Sequence, residues 1–314
     1  MTGEQRTATK VAVIGLGAMG SGMAASLARA AFSVRGFDRR PEAMARLEEG
    51  GVTGAASAAE ACAQADIVVL VVVNADQTEA ALFGDDGVLG ATKRGAVIVS
   101  SATMAPERAR ALATAVEGAG RLYLDAPISG GAARAAQGAL TILVSGSRQA
   151  QSLAAPALDA MGAKIYDLGE EAGVAAAFKM VNQLLAGVHI AVACEAIVFA
   201  KKLGLDIAKV IEVVSSSAGN SWMFENRMPH VLEGDYRPRS AVNIFTKDLG
   251  IIADMSRSEK FPTPMASQAL QMFLMTAAQG MGEEDDASVA RLYADIAGVE
   301  LPAAKLQAPA DDKR

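Results

Sequence analysis

Aromatic side chains are scarce in this 314-residue chain: one Trp, four Tyr and nine Phe make up 4% of it. A core so poor in rings must close by interlocking small and branched aliphatic groups, and Ala- and Gly-rich helical patterns supply them. Histidine is scarcer still. His189 and His230 are the only two, and no grouping of His, Cys and carboxylates has metal-ligand spacing, so no metal is expected. Cys62 and Cys194 alone give no disulfide framework. Both sit in apolar helical patterns and read as buried thiols. A basic excess is also missing: 29 Lys and Arg against 35 Asp and Glu leave a net charge of −6. That excludes a broad nucleic-acid or anionic-membrane footprint, but not a small anion, which needs only a local cluster of donors. Residues 1–10 lack an apolar signal core. Of the two longest apolar runs, 67–73 is too short to span a bilayer, and 184–200 carries His189 and Glu195 and reads as a core helix. A soluble cytoplasmic protein is expected.

What is present is concentrated first in residues 10–38, KVAVIGLGAMGSGMAASLARAAFSVRGFD. The run 11–14 predicts a buried parallel strand. Gly15, Gly17 and Gly20 follow in G-x-G-x-x-G spacing, and an Ala-rich helical pattern begins at once. A second strand, 33–37, ends at Asp38. In such a unit the first glycine makes a tight turn, the second lets backbone approach a pyrophosphate, and the third allows close helix–strand packing. The helix amino end offers N–H groups and a positive dipole to the phosphates. Asp38, 18 residues after Gly20, is placed to accept from an adenosine ribose. The glycines alone would also suit a turn in a nucleotide-free fold; strand, glycines, helix, strand and acid in this order point to a dinucleotide.

Strand patterns at 11–14, 33–37, 67–73, 96–99, 121–124, 140–144 and 164–166 alternate with helical or turn-rich segments. This alternation predicts an open, mostly parallel sheet with helices on both faces, and ligands beyond the carboxyl ends of its strands. After Gly169 strand patterns cease. Residues 170–203 form one long apolar helical pattern stopped by Gly204, and further helical segments follow at 206–216, 240–258, 264–279 and 287–297. The expected fold is therefore α/β: a Rossmann-type dinucleotide-binding domain at 10–168, then an all-α substrate and oligomerisation domain at 169–303 entered through a long interdomain helix. Residues 1–9 are expected to be a flexible N-terminus and 304–314 a polar tail.

Several segments outside the glycine turn could carry chemistry. Residues 125–138 read DAPISGGAARAAQG; the amides of the turn at Ser129, Gly130 and Gly131, with the hydroxyl, suit a carboxylate cradle or a purely structural turn. Lys179, Asn182 and Gln183 share one face of the long helix. An isolated lysine there either snorkels to solvent or is held in a cleft, and the amide pair beside it favours the cleft. Lys247 and Asp248 interrupt an apolar pattern in NIFTKDL. Residues 217–227, SAGNSWMFENR, suit a loop lining a pocket or a capped helix–helix connection. His189 reads as a satisfied core histidine and His230 as a loop candidate for substrate contact.

Taken together, GLGAMGSGMA at 15–24, DAPISGGAARAAQGAL at 125–140, FKMVNQ at 178–183 and TKDL at 246–249 resemble the signature blocks of the β-hydroxyacid dehydrogenases, the family of 3-hydroxyisobutyrate dehydrogenase and tartronate semialdehyde reductase. The resemblance runs from Val11 to about Leu301. It implies an NAD(P)-dependent dehydrogenase acting on the CH–OH group of a small anionic hydroxy acid. Gly15, Gly17, Ala18, Met19 and Gly20 would hold the pyrophosphate, Asp38 with Arg39 the ribose end, and Val73, Asn74 and Thr103 the nicotinamide half. Ser129, Gly130 and Gly131 would bind the substrate carboxylate. Lys179 would be the acid/base, Asn182 or Gln183 would orient substrate, and Lys247 would contact the cofactor. Two departures stand out: Asn182-Gln183 where many members have Asn-Asn, and Ala102-Thr103 where Ser-Thr is frequent. NAD is favoured by Asp38, whose carboxylate would repel a 2′-phosphate; Arg39 and Arg40 leave NADP open. The wording of the segments around Gln183 and Trp222 implies L-threonate or a related four-carbon sugar acid as substrate, with 3-hydroxyisobutyrate and tartronate semialdehyde as alternatives. A 6-phosphogluconate-type decarboxylating enzyme would need a longer helical region. A non-catalytic dinucleotide-binding module is the alternative from another class. The short, very apolar second half implies a homo-oligomer, dimer or tetramer.

Overall fold

The structure is a computed structural model that describes residues 9–45 and 50–303. The flexible ends expected at 1–9 and 304–314 lie, Thr9 apart, outside the described residues. The chain forms two compact units, Met1–Met180 and Val181–Arg314.

In the first unit, β1 (Lys10–Ile14), β2 (Ser33–Phe37), β3 (Thr53–Gly54), β4 (Ile67–Leu70), β5 (Val97–Ser100) and β6 (Leu122–Asp125) form one sheet in the order β3-β2-β1-β4-β5-β6. Every pairing is parallel. A parallel sheet must be covered on both faces, and the period-2 alternation of β1 serves both. Val11 and Val13 enter the core on one side with Met23, Leu27 and Leu124, while Ala12 and Ile14 enter the other with Leu70, Ile98 and Tyr123.

Two expectations need correction here. The run 67–73 is strand only over Ile67–Leu70, because Val71 to Val73 leave the ladder and lead into the helix Ala75–Phe83, capped by Asn74. The segments 140–144 and 164–166 do not join the parallel sheet. They are β8 (Leu140–Val144) and β9 (Gly162–Asp167) of a separate three-stranded sheet, in which β7 (Ile128–Ser129) pairs antiparallel to β8. The reason lies at Asp125, which exchanges both backbone hydrogen bonds with Ser145 at 2.9 Å in an antiparallel bridge. The chain thus returns against β6 and cannot extend a parallel ladder. The division between the two compact units falls at Met180, inside the long helix. The helix runs Val174–Lys202, and its first turn is tied to the strands. Asp125 Oδ2 accepts from Gly173 N–H at 3.0 Å and from Ala176 N–H at 2.9 Å, and Ser145 Oγ accepts from Ala175 N–H at 3.0 Å. These amides have no partner inside the helix.

The second unit is helical from Val181 onward. After the long helix come Ile207–Ser215, Trp222–Glu233, Val242–Ser258, Pro264–Thr276 and Val289–Ala297. Gly204, at φ +78°, ends the long helix as expected. Residues 217–227 take the second of the two forms open to them, a capped connection between the helices Ile207–Ser215 and Trp222–Glu233. Ser221 Oγ accepts from Phe224 N–H at 3.1 Å and starts the helix Trp222–Glu233.

The anchor at Asp125 carries a pH signature. Burial pushes its carboxyl up to about 6, against the three donors from Ala176, Gly173 and Ser145 that pull it down. The native state then holds a proton that the unfolded chain, at about 3.8, has already released. This group's contribution is complete below pH 4 and is lost as pH rises through 6, a change on the order of 2 kcal/mol. Denaturant unfolding at pH 4.5 and 7.5 should therefore show wild type losing stability relative to Asp125→Asn, which does not titrate; a pH-independent difference would contradict the assignment.

Candidate active site

The glycine turn is built as its spacing predicts. Gly15 sits at φ +93°, and a Cβ there would lie 2.3 Å from Val71 O. A Cβ on Gly20 would lie 1.8 Å from Gly15 O, so the helix Gly20–Arg29 starts closer to β1 than any side chain permits. Gly17 differs. Its only neighbour at the Cβ position is Arg40 Nη2 at 3.4 Å, so nothing within the fold demands a glycine, and the open space suits close approach of a ligand. No side chain caps the helix and its first turn holds no acid. An uncapped, acid-free amino end behind a bare backbone fits a pyrophosphate, whose charge those amides and the dipole would meet. Ala18 and Met19 lie in this turn.

Asp38 follows β2 and closes the same turn. Its Oδ2 accepts from Leu16 N–H at 2.7 Å, and its Oδ1 from Arg40 N–H at 2.9 Å and Arg40 Nε at 3.1 Å. Burial opposes the charge, but these donors outweigh it and hold the carboxyl below its usual range. The neighbouring cation is thus Arg40 rather than Arg39, whose side chain is exposed. At the end of β4, Val73 is exposed and its N–H donates to Gln77 Oε1 at 2.9 Å. Asn74 is committed as a helix cap, Oδ1 accepting from Gln77 N–H at 2.8 Å. Thr103, past the end of β5, is half-buried.

Ser129 ends β7, paired with Thr141. Gly130 and Gly131 follow with φ of +132° and +78° and open the uncapped helix Gly131–Gln137. A Cβ on Gly22 would lie 2.6 Å from Ala136 N, so this helix is seated on Gly20–Arg29, and Ser26 Oγ donates to Ala135 O at 2.9 Å. The Ser129 turn and the glycine turn are therefore held in one packed layer of the first unit. Lys179 lies on the long helix, one turn beyond its anchored amides, and is 6% exposed. It is buried and does not snorkel to solvent.

The second unit gathers the other polar residues. Gln183 Nε2 donates to Asp248 Oδ2 at 2.5 Å, and Lys247 Nζ pairs with Asp248 Oδ1. Asn182 Nδ2 donates to Gln183 Oε1 at 2.9 Å. The two helices meet here because Gly187 is bare: a Cβ on it would touch Phe245 and Leu249 at 3.0 Å. Asn182 is exposed whereas Gln183 and Asp248 are buried. Asp248 is thus the hub of the row, a buried side chain between two donors that only the pairing of the two helices reveals.

His230 is not a loop residue. It lies in the helix Trp222–Glu233, 1% exposed, with Nδ1 at 2.9 Å from Asp285 Oδ1. Beside it Arg227 grips Asp286 with Nε at 2.6 Å and Nη2 at 3.0 Å. Burial raises the Asp286 carboxyl against the pull of Arg227. This is a closed structural network. His189, expected to be a core histidine, is half-buried. Among the described residues no group of three or more His, Cys, Asp and Glu could hold a metal.

A family model described as the NAD binding domain of 6-phosphogluconate dehydrogenase matches residues 10–169, and one described as NAD-binding of NADP-dependent 3-hydroxyisobutyrate dehydrogenase matches residues 173–293. L-threonate dehydrogenase of Cupriavidus necator is 49% identical over 292 residues, covering 93% of this chain and 97% of that protein. L-threonate dehydrogenase of Haemophilus influenzae is 46% identical over 293 residues, covering 93% and 96%. The crystal structure of a 3-hydroxyisobutyrate dehydrogenase from Salmonella typhimurium superposes with a TM-score of 0.87 at 44% identity, covering 90% of this chain and 99% of that one. The chain belongs to the β-hydroxyacid dehydrogenase family and is an NAD(P)-dependent dehydrogenase of the 3-hydroxyisobutyrate dehydrogenase type.

Proposed function

We propose that this enzyme oxidises L-threonate with NAD, using Lys179 as acid/base. The observation that carries the reading is the buried Lys179, one turn of helix before an amide pair whose inner member is fixed by Asp248. When bound, a nicotinamide cofactor would supply the hydride acceptor for the carbinol carbon, or the donor in the reverse direction. Lys179 Nζ takes the hydroxyl proton in the oxidation and returns it in the reverse reaction. Ser129 with the Gly130 and Gly131 amides holds the substrate carboxylate. Asn182 and Gln183 orient the substrate hydroxyls. A four-carbon sugar acid carries more hydroxyls than 3-hydroxyisobutyrate, and a row that both donates and accepts suits it. Two relatives named L-threonate dehydrogenase, at 49% and 46% identity, support this choice over the 3-hydroxyisobutyrate named for the Salmonella structure.

For the cofactor, Gly15, Gly17, Ala18, Met19 and Gly20 hold the pyrophosphate, and Val73, Asn74, Thr103 and Lys247 serve the nicotinamide half. Asp38 takes the ribose. Its carboxylate repels a 2′-phosphate, so NAD is preferred, with Arg39 and Arg40 permitting slower use of NADP. The boundaries proposed for the functional domains remain 10–168 and 169–303.

The enzyme works in the cytoplasm as a homo-oligomer. The long helix passes for a membrane span by length and composition, with a mean hydropathy of 1.8, yet 56% of that window is buried within the protein. Its other face is apolar as well: Val181, Leu185, Val192 and Phe199 are each at least half exposed. A second copy of the helix would cover them.

Three results would support these statements. Nicotinamide reduction across L-threonate, D-threonate, D-erythronate, 3-hydroxyisobutyrate and glycerate, with NAD and NADP in parallel, should give the highest kcat/KM for L-threonate with NAD; preference for a three-carbon or branched acid would overturn the substrate. Lys179→Ala should lose about 10²- to 10⁴-fold in kcat while NADH fluorescence titration shows cofactor affinity nearly unchanged; full activity would remove Lys179 from the mechanism. Light scattering at micromolar concentration should show a dimer or larger, and a monomer alone would refute the oligomer.

A further inference from the structure

The two strands that bracket the Ser129 turn both reach for the helix that carries Lys179. Asp125 is the last residue of β6 and lies four positions before Ser129. Ser145 directly follows β8, on the far side of the same excursion. Their backbones are joined by two hydrogen bonds of 2.9 Å. Their side chains then take three of the orphan amides at the helix start, those of Gly173, Ala175 and Ala176, at 2.9–3.0 Å. The Gly173 and Ala176 amides and, at 3.5 Å, the Ser145 hydroxyl all converge on Asp125 Oδ2, while Oδ1 has no partner among the described residues. Asp125 and Ser145 are fully buried. Gly173, at φ +92°, makes the approach possible, since a Cβ there would meet Pro106 O at 2.7 Å. From Ala176 to Lys179 is three residues, about 4.5 Å along a helix axis.

We propose that Asp125 is a positioning residue of the dehydrogenase reaction: by holding the amides of Gly173 and Ala176 it fixes Lys179 in register with the Ser129–Gly130–Gly131 turn. The inference rests on the reading of Lys179 as the acid/base and of that turn as the carboxylate site. A helix has few ways to err once three of its first amides are fixed to the sheet. Released, it is free to slide or rotate, and a misplacement of about 1 Å in a reacting group costs roughly 10²-fold in rate. The cofactor turn, at the ends of β1 and β2, makes no use of Asp125. Loss of the anchor therefore acts on proton transfer and substrate alignment, not on dinucleotide affinity.

The geometry supplies its own control. One oxygen takes both amides, so the carboxamide oxygen of an asparagine can replace it. Asp125→Ala is expected to lower kcat on L-threonate about 100-fold and raise KM, with NADH affinity within about two-fold of wild type and a native circular-dichroism spectrum. Asp125→Asn is expected to restore kcat to within about three-fold at pH 8. Ser145→Ala, which removes one of the three bonds, should fall between, and it decides the matter if Asp125→Ala does not fold. Wild-type kcat in Asp125→Ala, or in Ser145→Ala where that stands in, would overturn the proposal. So would an Asp125→Asn as slow as the alanine variant, or a loss of kcat matched by an equal loss of cofactor affinity. Lys179→Ala measured alongside separates the two layers: activity retained there sinks the acid/base reading itself, whereas activity lost there and retained in Asp125→Ala sinks only the positioning role.

Discussion

A helix of 29 residues begins with backbone amides that nothing inside it can satisfy, and here the start is buried. Left unpaired, each such N–H would cost about 1–3 kcal/mol. The chain meets the demand with a carboxylate and a hydroxyl placed on two strand ends, Asp125 and Ser145. Much of the first unit follows from that arrangement. The strands must come back antiparallel so that both side chains face the same helix end, which is why β7, β8 and β9 form a sheet of their own. The Ser129 turn is suspended between the two anchors. Lys179 is placed by the helix they hold.

The second constraint is small size. With so few rings, close approach of backbones replaces aromatic volume. Gly20 admits the first helix to the sheet, Gly22 admits the 131–137 helix to the first, and Gly187 admits the 242–258 helix to the long one. Two of these contacts also join polar groups: Ser26 to Ala135 O in the first unit, Gln183 to Asp248 in the second. The stacked rings of Phe245 and Phe273, 5.1 Å apart, are an exception near the second of these. A larger residue at Gly20 or Gly22 would force backbone apart, whereas at Gly187 it would press on the side chains of Leu249 and Phe245.

Local chemistry was legible in the sequence; long-range pairing was not. The strand–glycine–helix–strand–acid unit could be read because each of its parts acts on its neighbours within about thirty residues. The burial of Lys179 was anticipated from the amide pair on its own helix face. Asp125 and Asp248 were not assigned, because their partners lie 48 to 51 and 65 residues away. The same holds for His230, expected in a loop: only the fold brings Asp285 to its ring. The second sheet escaped for a related reason, since strand patterns carry no mark of the partner they will choose.

The most direct measurement of the anchor is amide hydrogen exchange of the peptides covering residues 170–180 in the wild-type enzyme and in Asp125→Ala. Amides at a free helix end exchange quickly, whereas anchored ones open only with the unit around them. The account predicts that Gly173, Ala175 and Ala176 exchange as slowly as the interior of the long helix in wild type, and that Gly173 and Ala176 lose this protection when Asp125 is removed. Rapid exchange of these amides in wild type, or protection unchanged in the variant, would contradict it.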